Sequence, residues 1–223
     1  MNNILAIDTS GSRLNLAIAF GGDRIVKAQK EVEQSHGQII LKTIEDLLTS
    51  AGLKQTDLNA LIVNIGPGSF TGLRIGLATA KGMAVALGLD LVAVNVFELA
   101  AYKLRTVKDP VMVITPLKKD EFFSCEVTEG KFDKKDIEVI SLKLLKNLEQ
   151  GHLAGINLDL NDLIDVSFND YSEQVKFDAG DLITLGQKKI EKGELADLAT
   201  LEPLYIQKSQ AEINYDKRHQ QNN

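Results

Sequence analysis

Apolar positions in the first part of the chain change from a strand-like to a helix-like spacing. Short apolar runs at 4–8, 13–20 and 24–32 are separated by turn-forming residues, and they predict three antiparallel strands. From residue 37 the apolar positions recur every three or four residues until Gly52, which predicts a helix. The chain therefore opens with a predicted meander of strands followed by a helix.

The next part of the chain alternates strands with helices. A continuous apolar run at 60–65 predicts a buried strand, and a glycine-rich turn leads from it into a helix at 69–87. A strand at 91–94 and a helix at 96–104 follow. Three meander strands and two strands that are reached through helices predict a mixed sheet with helices on its faces, which is an α/β fold.

After residue 109 the same order partly repeats. The predicted elements are strands at 110–115, 121–128 and 152–156 and helices at 141–148 and 181–192. Charge and proline interrupt the apolar pattern at 106–109, so we predict a first domain at 1–106 and a second at 107–208. The segment 209–223 has little to bury and is predicted to be a disordered tail.

Composition narrows the class of protein. The chain has 223 residues, of which 44% are hydrophobic and 25% charged, as is typical of a globular protein. No apolar run is long enough for a membrane helix, and the first residues lack the pattern of a signal peptide, so we expect a cytoplasmic protein without membrane contact. Cys125 is the single cysteine, so an internal disulfide is excluded.

The charges argue against direct binding of nucleic acid. The net charge is −6, with 8 basic and 9 acidic residues in the first hundred and 17 and 22 in the remainder. Proteins that bind RNA through its phosphates need dense Lys and Arg, which no stretch of this chain supplies. We therefore expect any RNA to be held through another protein.

The segment GPGSFTGLRIG at 66–76 is the most informative motif in the chain. Its backbone amides and helix start could hold an anion, but Thr71 and Gly72 break both the Walker A and the dinucleotide patterns. Pro67 and Thr71 flank Ser69 where a nucleophile elbow would have glycines. A structural turn with a capped helix and an anion-binding turn both remain open.

Two rows of small residues run along the predicted helix 69–87. They are Gly72, Gly76, Ala80 and Ala84 in one row and Ala78, Gly82 and Ala86 in the other. Each helical glycine costs about 1 kcal/mol relative to alanine, so a close approach of another backbone must compensate. Either the chain itself or a partner protein supplies this cover, and we favour a partner because the helix at 38–50 also has a broad apolar face. The predicted partner-binding residues are Leu41, Ile44, Leu48, Gly72, Leu73, Gly76, Leu77, Ala80 and Ala84.

Residues able to hold a metal or a cofactor are few. His36, His152 and His219 are not at metal-ligand spacing, so no metal site is predicted. Asp8 ends a buried strand, at the edge where α/β sheets bind ligands, and a nucleotide hypothesis therefore rests on Asp8, Thr9 and Ser10. The alternative is that Asp8 caps the turn through the backbone amides of Thr9 and Ser10.

Three motifs together resemble the TsaB family, also called YeaZ. They are ILAIDTS at 4–10, GPGSFTGLRIG at 66–76 and PLY at 203–205. The resemblance is strong up to about residue 105 and weaker beyond it, and the chain departs from the family's patterns at 114–117 and 205–207. It implies an actin-like, sugar-kinase-like (ASKHA) fold of two ribonuclease-H-like lobes with mixed sheets.

The resemblance also separates this chain from the family's catalytic paralogue, TsaD. TsaD-like proteins carry Val-Asn-His-x-x-x-His, whose histidines hold a metal, where this chain has Val94 to Ala100. The two ligand positions are Val96 and Ala100, which offer no lone pair. The resemblance therefore implies a non-catalytic accessory subunit with no catalytic residues, metal or cofactor of its own.

The partners that the resemblance implies belong to tRNA modification. A TsaD-like paralogue would bind through two helices from each protein and transfer a threonylcarbamoyl group to the adenosine beside the anticodon. A TsaE-like ATPase would complete the complex, which uses ATP and holds the tRNA, and a homodimer is an alternative when the chain is alone. The competing hypotheses are a glycoprotease-like peptidase and an ATP-binding kinase-like enzyme.

Overall fold

A five-stranded mixed sheet forms the first half of the protein. The computed structural model describes residues 2–32, 35–148, 150–163 and 168–204. The strands of the first sheet are β1 (Ile4–Asp8), β2 (Arg13–Phe20), β3 (Arg24–Glu31), β4 (Ala60–Asn64) and β5 (Asp90–Val94). Their order is β3-β2-β1-β4-β5, with β1, β2 and β3 antiparallel and β4 and β5 parallel to β1. The predicted meander and the predicted mixed sheet are both confirmed.

Three helices connect or follow these strands. They are α1 (His36–Ala51), α2 (Phe70–Leu87) and α3 (Val96–Lys103). Ser35 caps α1 and Ser69 caps α2, each by accepting a hydrogen bond from an amide in the first helical turn. Both helices end at a glycine with a left-handed backbone, Gly52 and Gly88, and the end of α1 at Gly52 is the one that the sequence predicts.

A second five-stranded sheet repeats the topology of the first. Its strands are β6 (Val111–Lys118), β7 (Glu121–Val127), β8 (Glu138–Ser141), β9 (His152–Gly155) and β10 (Asn169–Asp170), in the order β10-β9-β6-β7-β8. The remaining α-helices of the described residues are α4 (Leu142–Lys146), α5 (Ser172–Val175) and α6 (Ala179–Glu191). The strands β8 and β10 and the helix α5 were not predicted, because each is too short to show a period.

The first sheet is covered on both faces. Leu5 and Ile7 pack with α1 and α2 on one face, whereas Ile4 and Ala6 pack with α6 on the other. We call the first sheet with α1, α2 and α6 the first lobe, and the second sheet with α4 and α5 the second lobe. Helix α3 joins them, because its residues contribute to the core beside each sheet.

Helix α6 lies late in the sequence but belongs to the first lobe. Leu182 and Ile183 are buried against the first sheet, and an ion pair of 2.6 Å joins Asp181 to Lys103 of α3. The segment 193–204, which we call the return segment, then runs along the same lobe. Two of its backbone amides donate hydrogen bonds of 2.8 Å to the first lobe. The Ala196 amide donates to the carbonyl of Leu91, and the Leu204 amide donates to the carbonyl of Ile65.

The strands of the first sheet all precede the strands of the second sheet along the chain. The change from one sheet to the other falls between α3 and β6, near residue 106, although α6 returns across it. The division into 1–106 and 107–208 stays a prediction, and the tail predicted at 209–223 lies outside the described residues. In the described part of the chain, no helix combines the length and the hydropathy that crossing a membrane requires.

Candidate functional site

The glycine-rich loop between β4 and α2 is tied to the turn that follows β1. The amide of Ser69 donates to the carbonyl oxygen of Ser10 at 2.7 Å, and Ser69 caps α2 by accepting from the amide of Gly72 at 3.2 Å. A side chain at Gly68 would collide with the Ser10 carbonyl, and Gly66 has a φ of 97°. These contacts support the structural interpretation of the motif, in which glycine is needed for close packing.

The first row of small residues on α2 packs against the protein's own β1 turn. A Cβ atom added at Gly72 would overlap the carbonyl oxygen of Thr9, and one at Gly76 would overlap the Thr9 hydroxyl. Ala80 and Ala84 continue the same row into the core of the first lobe. The small residues therefore allow α2 to pack closely against another segment of the same chain.

The predicted partner surface needs correction for this reason. Eight of its nine residues are buried in the chain's own structure and are not available to a partner: Ile44, Leu48, Gly72, Leu73, Gly76, Leu77, Ala80 and Ala84. Leu41 is the exception, with 62% of its surface exposed. The periodicity correctly found an apolar face, but it could not tell which face the sheet covers.

The exposed side of the same two helices carries a different set of residues. Val85 is 71% exposed, and the second row of small residues on α2 also faces outward. Gly37 of α1 lies beside Ile75 of α2, and Leu41 is one helical turn further along α1 on that side. We call Leu41, Ala78, Gly82, Val85 and Ala86 the outer helix face.

A cleft of about 1390 Å³ separates the two lobes. The ends of β1 and β2 and the glycine-rich loop form one wall. The other wall comes from the second lobe and includes Thr115, Asn157 and Ser172, while Leu204 of the return segment also contacts the cleft. Thr115 and Leu117 lie in the segment that departs from the TsaB pattern, so part of the second wall differs from that pattern.

Asp8 lies at the cleft, and its carboxylate is hydrogen-bonded within the protein. Its carboxylate accepts hydrogen bonds from the Ser10 amide at 2.9 Å and from the side-chain amides of Asn64 at 2.9 Å and Asn15 at 3.3 Å. Only 3% of the residue is exposed. The bond from the Ser10 amide agrees with the turn-capping alternative for that residue, and the two asparagine bonds link the carboxylate to β2 and β4.

The other two residues of the nucleotide hypothesis are also buried. Ser10 contacts the cleft, and its hydroxyl accepts from the Asn64 amide at 3.1 Å. Thr9 is turned toward α2 and does not line the cleft. Asn64 and Asn15 are not among the predicted site residues, although Asn64 is a polar residue within the predicted apolar run 60–65 and so was a signal.

The positions that correspond to the metal ligands of TsaD lie in the apolar core. Val96 and Ala100 are fully buried among the hydrophobic residues that join α3 to the second sheet. Asn95 and Glu98 form a capping box at the start of α3, and the Glu98 carboxylate pairs with Lys189 of α6 at 3.1 Å. Within the described ranges, no group of His, Cys, Asp and Glu side chains is arranged to hold a metal ion.

The surroundings of the single cysteine disfavour its nucleophilic form. Cys125 is buried in the second lobe, and burial, helped by the nearby Asp136 and Glu126 carboxylates, raises the pKa of its thiol to about 11. Nucleophilic cysteines need the thiolate, which a raised pKa disfavours.

Comparison with known proteins indicates the same family as the sequence motifs do. A profile of the family described as "TsaD: tRNA N6-adenosine threonylcarbamoyltransferase" matches residues 24–139, which is more than half of the 223 residues. The chain belongs to the TsaB/TsaD family. TsaB of Escherichia coli K12 is 42% identical to this chain over 93 residues, which cover 41% of this chain and 39% of that protein. The TsaB of Haemophilus influenzae is 31% identical over 131 residues, covering 56% and 54%.

Both relatives are named tRNA threonylcarbamoyladenosine biosynthesis proteins. The match to this TsaB-like chain spans only 39% and 54% of their lengths. Two Pseudomonas aeruginosa structures, one described as similar to peptidase YEAZ and one as YeaZ, match with TM-scores of 0.73 and 0.70. Both are 22% identical to this chain, cover 93% and 92% of it, and match over 100% of their own length.

A more distant structure relates the fold to a wider class. A Bacteroides thetaiotaomicron protein with an actin-like ATPase fold has a TM-score of 0.51 at 11% identity, covering 82% of this chain and 96% of that one. At such identities the likeness shows the fold alone. The TsaB-like chain therefore has the ASKHA-like α/β fold with two mixed sheets that its sequence predicts.

Proposed function

We propose that this chain is a non-catalytic subunit that binds and activates a TsaD-like enzyme. That enzyme transfers a threonylcarbamoyl group to the adenosine beside the anticodon of tRNA. The family membership and the names of the TsaB relatives support the pathway. A TsaE-like ATPase is the third component of the proposal, and ATP and tRNA are engaged by the assembled complex.

The observation that carries this proposal is the burial of Val96 and Ala100. In a metal-dependent paralogue these positions hold imidazole nitrogens that must reach an open site. Here both side chains pack in the core beside Phe97 with no exposed surface. An aliphatic side chain cannot bind a metal, and replacing it by histidine would bury an unpaired polar group.

The outer helix face is the surface that we assign to the TsaD-like partner. Large apolar side chains are costly to expose in groups, and Leu41 and Val85 are among the most exposed large apolar residues of the described chain. Small residues between them leave room for a helix to approach closely. A pair of helices from the partner would complete a four-helix bundle, and a second copy of this chain would use the same face when the partner is absent.

Charged substitutions on this face test the proposal. Leu41→Asp and Val85→Asp should each weaken binding to the TsaD-like protein about tenfold or more, because a buried charge would lie in the interface. Both side chains are exposed in the monomer, so the melting temperature should change little. Binding is measured by calorimetry, and tRNA modification is measured in the reconstituted system.

Leu144→Asp is the matched control. Leu144 is 53% exposed but lies on α4 in the second lobe, so its substitution should leave binding and modification unchanged. The proposal fails if the two outer-face variants bind like the wild type, or if the reconstituted enzyme modifies tRNA equally well without this chain.

A further inference from the structure

An aromatic ring with two cations lies where the end of α3 meets α6. The guanidinium carbon of Arg105 is 4.4 Å from the centre of the Tyr102 ring, and the Lys188 nitrogen is 4.3 Å from the same ring centre. Both distances are within the range of a cation–π contact. We call Tyr102, Arg105 and Lys188 the α3–α6 patch. Neither the TsaB-like motifs nor the proposed function assigns it a role.

The two cations of the α3–α6 patch have no carboxylate partner among the described residues. Other lysines of the same two helices are paired, Lys103 with Asp181 at 2.6 Å and Lys189 with Glu98 at 3.1 Å. The helices thus neutralise some of their cations and leave those of the patch available to an anion from another molecule.

The charges that border the α3–α6 patch balance one another. The turn 128–131, which holds one glutamate and one lysine, packs against Arg105, since a Cβ atom added at Gly130 would lie 2.8 Å from the Arg105 Cα atom. Beyond the second cation of the patch, α6 ends at Glu191 and is followed by Lys192. Each of these acids has a lysine beside it, so the patch itself supplies the local excess of positive charge.

A hydrogen bond fixes the guanidinium group of the patch. The Nη1 atom of Arg105 donates to the Tyr102 carbonyl oxygen at 2.6 Å, which holds the group over the ring. A guanidinium has several N–H donors, so others remain for a phosphate oxygen. The Tyr102 ring is only partly buried, and aromatic rings next to cations suit the bases and phosphates of RNA.

The α3–α6 patch and the outer helix face lie on opposite sides of the first sheet. Helix α6 and Leu99 of α3 pack on the sheet face that carries Ile4 and Ala6, whereas α1 and α2 pack on the other. A partner bound to the outer helix face therefore leaves the patch uncovered.

We propose that the α3–α6 patch binds the phosphate backbone of tRNA. Arg105 and Lys188 each contact a phosphate, and Tyr102 contacts a ribose or a base. The sequence analysis expected another protein to hold the RNA, because no single stretch of the chain is basic; the fold brings the two cations together from distant positions. The inference rests on the proposed function and adds that this subunit itself contacts the tRNA.

Binding of an unmodified tRNA transcript to the isolated full chain tests the proposal. Fluorescence anisotropy of the labelled tRNA is measured at about 50 mM and about 200 mM salt, because phosphate contacts release counterions and weaken as salt rises. With two phosphates neutralised, the affinity should fall by about tenfold between these concentrations.

A double variant locates the site. Arg105→Gln with Lys188→Gln should weaken tRNA binding about tenfold at the lower salt concentration and remove most of its salt dependence. Both side chains are exposed, so the melting temperature should change little. The matched control is Lys143→Gln with Lys146→Gln, which removes two exposed charges from α4 in the second lobe and should bind tRNA like the wild type.

The aromatic ring is tested separately. Tyr102→Leu should weaken tRNA binding a few-fold, whereas Tyr102→Phe keeps the ring and should bind like the wild type. Polyglutamate of similar length serves as a second probe, since an acidic protein surface would also be attracted to the two cations.

Three results would each overturn the tRNA surface. They are wild-type affinity of the double variant, an equal loss of affinity in the matched control, and binding of polyglutamate as tight as that of tRNA. The double variant should still bind the TsaD-like protein normally in calorimetry. If the tRNA measurements fail while Leu41→Asp still weakens binding to that partner, this inference is wrong and the proposed function stands.

Discussion

At the scale of single residues, Asp8 illustrates how a candidate ligand can be a structural group. A carboxylate at the end of a buried strand faces the cleft, as the sequence predicts. The three hydrogen bonds that it accepts from Ser10, Asn15 and Asn64 use its oxygens within the protein. The charge of Asp8 thus fixes the ends of β1, β2 and β4 relative to one another.

We expect Asp8→Asn to lower the free energy of unfolding by about 1–3 kcal/mol, because an amide would replace an acceptor among three donors. Urea denaturation measures the difference. Asp23→Asn, in the exposed turn between β2 and β3, makes the same chemical change and should have almost no effect. Equal stability of the Asp8 variant and the wild type would contradict the structural role.

The sequence could predict Asp8 but not its partners. Strand ends and turn residues are local signals, which is why the pattern identifies Asp8 and the glycine-rich loop. Asn64 is 56 residues from Asp8 along the chain, and only the pairing of β1 with β4 brings them together. The sequence also could not predict that Leu41 is exposed and Gly76 buried, since both helices have apolar residues on more than one side.

At the scale of secondary-structure elements, α2 shows two uses of glycine in one helix. Gly76 packs against Thr9, whereas nothing lies within 4 Å of the position that a Cβ would take at Gly82. The two residues are therefore a matched pair in which the backbone is similar and the surroundings differ.

We expect opposite effects from the same substitution at these sites. Gly76→Ala should destabilise the protein by about 1–3 kcal/mol through overpacking against Thr9. Gly82→Ala should stabilise it by up to about 1 kcal/mol, because alanine has the higher helix propensity and has space. Thermal and chemical unfolding measure both, and a destabilised Gly82→Ala protein would show that the exposed side of α2 has no room for a methyl group.

At the scale of the whole molecule, ion pairs connect distant parts of the chain through α6. Lys27 of β3 lies 2.7 Å from Asp178, which caps α6. Burial by itself would raise the pKa of the Asp178 carboxyl, but hydrogen bonds from Lys27 and from the Gly180 amide outweigh it, and the pKa lies below its ordinary value of 3.8. Both side chains are about half exposed, so the pair contributes less than about 1 kcal/mol.

This lowered pKa gives stability a defined dependence on pH. The folded protein holds the Asp178 proton less tightly than the unfolded chain, so the stabilisation is present above about pH 4 and is lost as the pH falls through the lowered pKa. Asp178→Asn keeps a good helix cap but removes the charge. The difference in unfolding free energy between wild type and variant should therefore shrink between pH 7 and about pH 2, and a constant difference would exclude the charge as its cause.

The return of α6 and the return segment to the first lobe determines the order in which the newly made protein can fold. The face of the first sheet that carries Ile4 and Ala6 is covered only in part, by Leu99 of α3, until α6 leaves the ribosome, about 100 residues after β5. At about 5–20 residues per second this is a delay of about 5–20 s, during which an apolar face is open to aggregation or to a chaperone. Limited proteolysis should find the first lobe sensitive in ribosome-bound chains that are halted before α6 and resistant in the released full-length chain. The half of the protein that is synthesised first is thus the last to be completed.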